Sequence, residues 1–129
     1  MHGSESTTRG VRVQVSPRFV AERSDRRNNL WVFSYEVRIS NLGDRPVQLV
    51  ARHWVITDAN GRVEHVRGPG VVGEQPWIPP GAAHEYMSGC PLPTSLGSMY
   101  GSYTMLFEDG EQFEAEIAPF VLVEPDTMN

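Results

Sequence analysis

The chain lacks most of the chemistry that would fasten or anchor it. Of its 129 residues one is a cysteine, Cys90, which excludes an internal disulfide and a cysteine-built metal cage. Lysine is absent. All eleven basic residues are arginine, and sixteen acidic ones outnumber them, so the formal net charge is -5. Without a basic excess nothing draws the chain to a phosphate backbone, and nucleic acid is not expected as a partner. No apolar run approaches the ~18 residues that span a bilayer. Residues 1–10, MHGSESTTRG, lack the apolar region of a signal peptide. These absences predict a cytoplasmic protein with no membrane partner and a disordered tail over residues 1–10. Helix signals are missing as well, since no stretch of ten residues combines caps with a 3.6-residue period.

What is present has period two. Val11, Val13 and Val15 alternate with polar residues, and Trp31, Phe33, Tyr35, Val37 and Ile39 do the same. The run PVQLVARHWVITD, 46–58, carries apolar residues on both faces and predicts a strand covered on both sides for part of its length. Further strands are expected over 62–66, 83–87, 98–107 and 112–122, the last broken near Pro119. Asn41-Leu42-Gly43-Asp44, Asp58-Ala59-Asn60-Gly61 and Glu108-Asp109-Gly110 have turn chemistry and predict three hairpins. Ten prolines and twelve glycines spread between seven or eight short strands predict an all-β protein. The expected architecture is an immunoglobulin- or fibronectin type III-like sandwich of two antiparallel sheets, with a small barrel as the alternative. It should form one domain over residues 11–124, with a second tail at 125–129.

Within RGPGVVG, Gly68, Gly70 and Gly73 spell G-x-G-x-x-G, the spacing of a dinucleotide phosphate loop. Three prolines within residues 76–80 follow, so no helix N-terminus is available to receive a phosphate and the Rossmann reading fails. Two uses of the segment remain. The glycines can serve tight turns and close backbone approach, or their N–H groups can form a nest for a small anion such as pyrophosphate, with Arg67 and Arg62 adding charge. Glu74 is the one acidic residue beside the glycines, which is little for phosphate hydrolysis. Trp77 lies between prolines in the expected loop and is placed to pack over the glycine loop or to face a partner.

Other chemistry is sparse. His53 and His65 are the candidate metal ligands, with His84 the remaining ordered histidine; two imidazoles without a fixed third ligand do not make a zinc site, and no metal is expected. A bulged type I turn at 58–61 would set Val55 opposite His65 and keep His53 on the same face, whereas a two-residue turn would pair Ile56 with His65. Cys90 reads as an inert strand-end or loop residue. The carboxylates Glu108, Asp109, Glu111, Glu114 and Glu116 read as a solvated hairpin and the outer face of its strand, because Phe113, Ala115 and Ile117 form the inward face.

The run RGPGVVGEQPWIPPGAAHEYMSGCPL, then LGSMYGSYTM and DGEQFEAEIAPFVL, resembles the signature of the ApaG family of small bacterial cytoplasmic domains. The likeness extends upstream to Val11. In the family's terms, its glycine motif falls on Gly68, Gly70 and Gly73, its P-G turn on Pro80 and Gly81, and its S-G pair on Ser88 and Gly89. The M-x-G-x-Y-x-M segment falls on Met99, Gly101, Tyr103 and Met105, while Ser95 stands where the family usually has proline. The resemblance implies a fibronectin type III-like fold, no established catalysis or cofactor, and an association with cobalt resistance and magnesium efflux. Similar domains in eukaryotic F-box proteins and in a DNA polymerase-interacting protein imply a protein-interaction role. The expected function is therefore a non-catalytic interaction module, accessory to divalent-cation homeostasis, that presents the Gly68–Pro80 loop and neighbouring strand surface to a protein partner or a small anionic ligand. Its alternative is a pyrophosphate- or nucleotide-binding protein using the loop at residues 68–73.

Overall fold

In the computed structural model, which describes residues 3–125, alternation sorts side chains as expected from Val11 onward. The strands are β1 (Ser4–Thr8), β2 (Val11–Phe19), β3 (Trp31–Asn41), β4 (Val47–Asp58) and β5 (Val63–Pro69), then β6 (Trp77–Ile78), β7 (Ala83–Leu92), β8 (Leu96–Phe107) and β9 (Gln112–Val123). One antiparallel sheet has the order β1-β2-β3-β7; the other runs β5-β4-β8-β9, with β6 continuing the β5 edge of β4. Between them the inward residues of both sheets bury one core. At its centre Trp54 meets Tyr35, Tyr103 and Phe120, with ring centroids 5.2, 6.2 and 5.9 Å away. The fold is the expected two-sheet sandwich.

The described part of the expected N-terminal tail is not disordered. SESTT offers no apolar alternation, so β1 leaves no hydrophobic trace, yet it pairs with β2 along its length, from Ser4 opposite Val15 to Thr8 opposite Val11. Its hydroxyls also stitch it to β9. Ser4 Oγ donates to the Ala118 carbonyl at 2.7 Å, Ser6 Oγ to the Glu116 carboxylate at 2.6 Å, and the Glu116 N–H donates to Thr8 Oγ1 at 3.1 Å. One seam of the sandwich is thereby closed by polar contacts. Of the expected tail at 125–129, all but Pro125 lies outside the described residues.

Three further expectations change. The turn at 41–44 is not a hairpin but a corner between sheets, because β3 pairs with β2 and β7 while β4 pairs in the other sheet. Turn chemistry fixes a reversal and not the sheet that receives the next strand. Buried Asn41 holds the corner: its Nδ2 donates to the carbonyls of Arg45 and Ile78, and its Oδ1 accepts from the Gly43 N–H. Pro119 does not break β9. Met99 faces Phe120 and Gly101 faces Ile117, so Ala118 and Pro119 together oppose Tyr100 in a bulge that absorbs the missing N–H. The turn at 58–61 takes the bulged form, with Gly61 at φ 82° and Val55 opposite His65.

Candidate interaction face

The expected Gly68–Pro80 loop is largely built structure. Gly68 ends inside β5, and Trp77 belongs to β6, where it pairs with Gln48. Between them the chain makes a second, tighter reversal. Val71 and Glu74 exchange both backbone hydrogen bonds, at 2.8 and 3.0 Å, and Val72 and Gly73 have φ of 48° and 78°, the pattern of a type I′ turn. Val71 is buried in the core and Val72 is exposed. The N–H groups of Gly70, Val71 and Glu74 all donate to protein carbonyls, so these three do not converge on a solvent concavity. Arg52, beneath them, donates from Nη1 to the carbonyls of Pro69 and Gly70 at 2.9 and 3.0 Å.

Arg67, His53 and His65 instead come together on the outward face of the five-stranded sheet, and Trp77, opposite Gln48, lies farther along the same face. Register lays that face out in rows running from β5 to β9. One row is Arg67, His53, Ser102 and Glu116; the next is His65, Val55, Tyr100 and the Ala118–Pro119 bulge. The row beyond is Val63, Thr57, Ser98 and Val121. Tyr100, Val63 and Val121 are 47%, 52% and 45% exposed, so the middle of this face is apolar and open to water. Tyr100 and Val121 carried no signal of their own in the sequence, since a residue of either type in a strand reads as core until its parity is known.

The charges on this face are separated by strand. Arg67 stands on β5 and Glu114 and Glu116 on β9. Among the described residues no carboxylate lies within ion-pair distance of Arg67, and no cation within that distance of either glutamate. Glu114 is held by the hydroxyls of Ser102 and Thr104, each at 3.1 Å. The outward face of the other sheet differs: Arg38 pairs with Glu85, and Gln14 Nε2 donates to Glu5 at 2.9 Å.

His53 Nε2 and His65 Nδ1 are 2.9 Å apart, with ring centroids 5.2 Å apart and planes 21° from parallel. That centroid spacing is the N–N distance plus about two ring radii, so the imidazoles lie edge to edge and one N–H donates to the other ring's lone pair. His53 is held below the usual imidazole range, by desolvation first and then by Arg67 and His65, with Glu114 opposing. Its stabilising contribution is therefore complete above the unfolded value of 6.5 and is lost as pH falls through the lower folded value. In an NMR titration His53 should titrate below the ordinary range and move upward in Arg67→Ala; a midpoint indifferent to that change would remove Arg67 from the cause. Among the described residues no three His, Cys, Asp or Glu side chains are close enough to share a metal.

Cys90 is buried in β7, where burial, and to a lesser degree Glu64, push its thiol up to about 11. His84 lies in β7 with Nε2 3.9 Å from the exposed Glu74 carboxylate. No helix among the described residues is long and apolar enough to cross a membrane.

Comparison with known proteins places this geometry among relatives. The family model described as ApaG domain matches residues 21–107. The chain is 47% identical over 126 residues to Protein ApaG of Dechloromonas aromatica, covering 98% of this chain and 99% of that one. It is 53% identical over 119 residues to Protein ApaG of Xanthobacter autotrophicus, covering 92% of each. A crystal structure from Bordetella pertussis, described as an ApaA protein, superposes with a TM-score of 0.87 at 51% identity and covers 89% of this chain and 94% of that one.

Proposed function

The chain belongs to the ApaG domain family, and from that premise we propose a non-catalytic protein-interaction module that works through the outward face of its five-stranded sheet. The observation that carries this reading is the exposed apolar centre around Tyr100, flanked by a cation on β5 and carboxylates on β9 that have no oppositely charged group within ion-pair distance among the described residues. Aromatic and aliphatic side chains already held by a sheet lose little entropy on binding, and unpaired charges at the margin select the partner's orientation. Trp77, exposed and opposite Gln48, extends the same face farther along β4. Any accessory part in divalent-cation homeostasis would on this reading be exerted through a bound protein.

The pyrophosphate reading has less to stand on, since the Gly70 N–H donates to the Val50 carbonyl of β4 and those of Val71 and Glu74 are used inside the hairpin. Cys90 offers no ready nucleophile, because burial pushes its thiol up to about 11 and keeps it protonated. Affinity capture from the native lysate, with the wild-type chain beside Tyr100→Glu and Trp77→Ala, tests the proposal. The captured partner should fall at least roughly tenfold with Tyr100→Glu at an unchanged melting temperature. Full retention by Tyr100→Glu with loss in Trp77→Ala would move the site to the hairpin side and sink the proposed face.

A further inference from the structure

We infer that the partner this face is built to receive is a second copy of the same chain, joined across a two-fold axis that lies in the interface and runs along the strands. The inference rests on the interaction reading and goes beyond it by naming the occupant. The reason is self-complementarity. A rotation about an axis parallel to the strands, passing between β4 and β8, keeps each residue in its row and exchanges the β5 side for the β9 side. Arg67 of one copy then stands over Glu116 of the other, Val63 over Val121, and Val55 over Tyr100, as the rows observed within one chain dictate.

Under this one operation the apolar centre and the Arg67–Glu116 row are self-complementary, while Glu114 stands over Pro69 and meets no like charge. Apolar centre meets apolar centre, and Arg67 meets the Glu116 carboxylate, which accepts from the Ser6 hydroxyl and has no cation within ion-pair distance among the described residues. The contrasting axis, in the interface but perpendicular to the strands, sets β5 on β5 and β9 on β9. It would oppose Arg67 to the partner's basic side and Glu114 and Glu116 to its acidic one, and like charges face to face are repulsive. The electrostatics thus choose both the occupant and the symmetry, and a two-fold contact of this kind closes at two subunits.

Size sets the strength. Seven residues of four adjacent strands make a patch about 20 Å by 15–20 Å in projection, smaller than the roughly 800 Å² per partner of a standard interface. The dimer should accordingly be reversible and concentration-dependent, in exchange with monomer.

Sedimentation velocity of the full chain from about 1 µM to about 1 mM should show monomer giving way to dimer. Tyr100→Glu, and independently Val121→Glu at an exposed margin of the patch, should each shift that transition to at least roughly tenfold higher concentration, with melting temperatures confirming that both remain folded. Arg67→Glu and Glu116→Arg should each weaken the dimer alone, and an equimolar mixture of the two should associate again. In the mixed pair both cross-contacts join opposite charges. The double variant Arg67→Glu/Glu116→Arg should also recover, because its two contacts are inverted together. A wild-type chain that stays monomeric at the highest concentration would overturn the second-copy assignment. If Tyr100→Glu still lost a captured protein from lysate in that case, the interaction face would stand and only its occupant would change. A dimer indifferent to all of these substitutions would place the contact elsewhere and overturn the inference outright.

Discussion

Gly101→Ala is expected to lower stability by roughly 3 kcal/mol or more, or about 10 °C and upward in Tm for a chain of this size. Gly101 sits in β8 opposite Trp54, in the middle of the five-stranded sheet. A Cβ there would fall inside 3.0 Å of the His53 carbonyl oxygen, a backbone atom of the neighbouring strand. Strand backbone has no flexible end to swing aside, so relief requires β4 and β8 to part locally. Those two strands carry Trp54 and Tyr103, which pack against each other in the core. The loss would therefore spread from one methyl group to the central aromatic cluster. Differential scanning calorimetry of the variant decides the matter, and a melt within about 3 °C of the wild type would mean that the sheet has slack not visible in its register.

Gly70→Ala is the second large effect, expected at about 2–3 kcal/mol. Two costs add. Gly70 has φ of 57°, in the left-handed region, and its Cβ would fall inside 3.0 Å of the Glu74 carbonyl oxygen that closes the hairpin. The neighbouring motif position serves as the control: Gly73 has φ of 78° but open space around its Cβ, so Gly73→Ala should cost only the backbone strain, about 1 kcal/mol. Thermal melts that rank Gly70→Ala well below Gly73→Ala support a structural hairpin. Equal losses would contradict the close approach. Saturable amide shifts at residues 68–74 on adding sodium pyrophosphate would restore the anion reading despite the occupied N–H groups.

Sheets were legible wherever one face is buried and the other wet, because period two is then written in the residue types. Val11, Val13 and Val15 lie inward as that pattern requires, whereas the turn at 58–61 left two registers open, since Gly61 has a positive φ in either, and the structure takes the bulged one. Legibility failed where hydroxyls, not hydrocarbons, hold a strand: nothing in SESTT distinguishes β1 from a solvated tail until Ala118 and Glu116 are beside it. It failed again at Asn41, whose turn chemistry is the same whether the chain returns to its own sheet or crosses to the other. The candidate face was half legible. Arg67, His53, His65 and Trp77 stood out by type, but that they share one face with Tyr100, Val63 and Val121 depends on pairings between strands up to some sixty residues apart in sequence.

The stitching of β1 to β9 has a kinetic consequence. Ser4 and Ala118 are 114 positions apart, and Ser6 and Glu116 are 110 apart, so this seam joins regions that must find each other across nearly the whole chain. Contacts of such long range are favourable only after the loop entropy between them has been spent by other structure, so they form late and contribute little to the rate-limiting barrier. Substitutions in the seam, such as Ser6→Ala, should then leave the refolding limb of a chevron plot nearly unmoved and steepen the escape from the native state instead, appearing as faster unfolding. During synthesis the same order means that the flank of β1 stays uncovered until β9 has left the ribosome. A strand made of serine, threonine and glutamate is suited to that wait, since an apolar edge exposed for as long would be a template for aggregation.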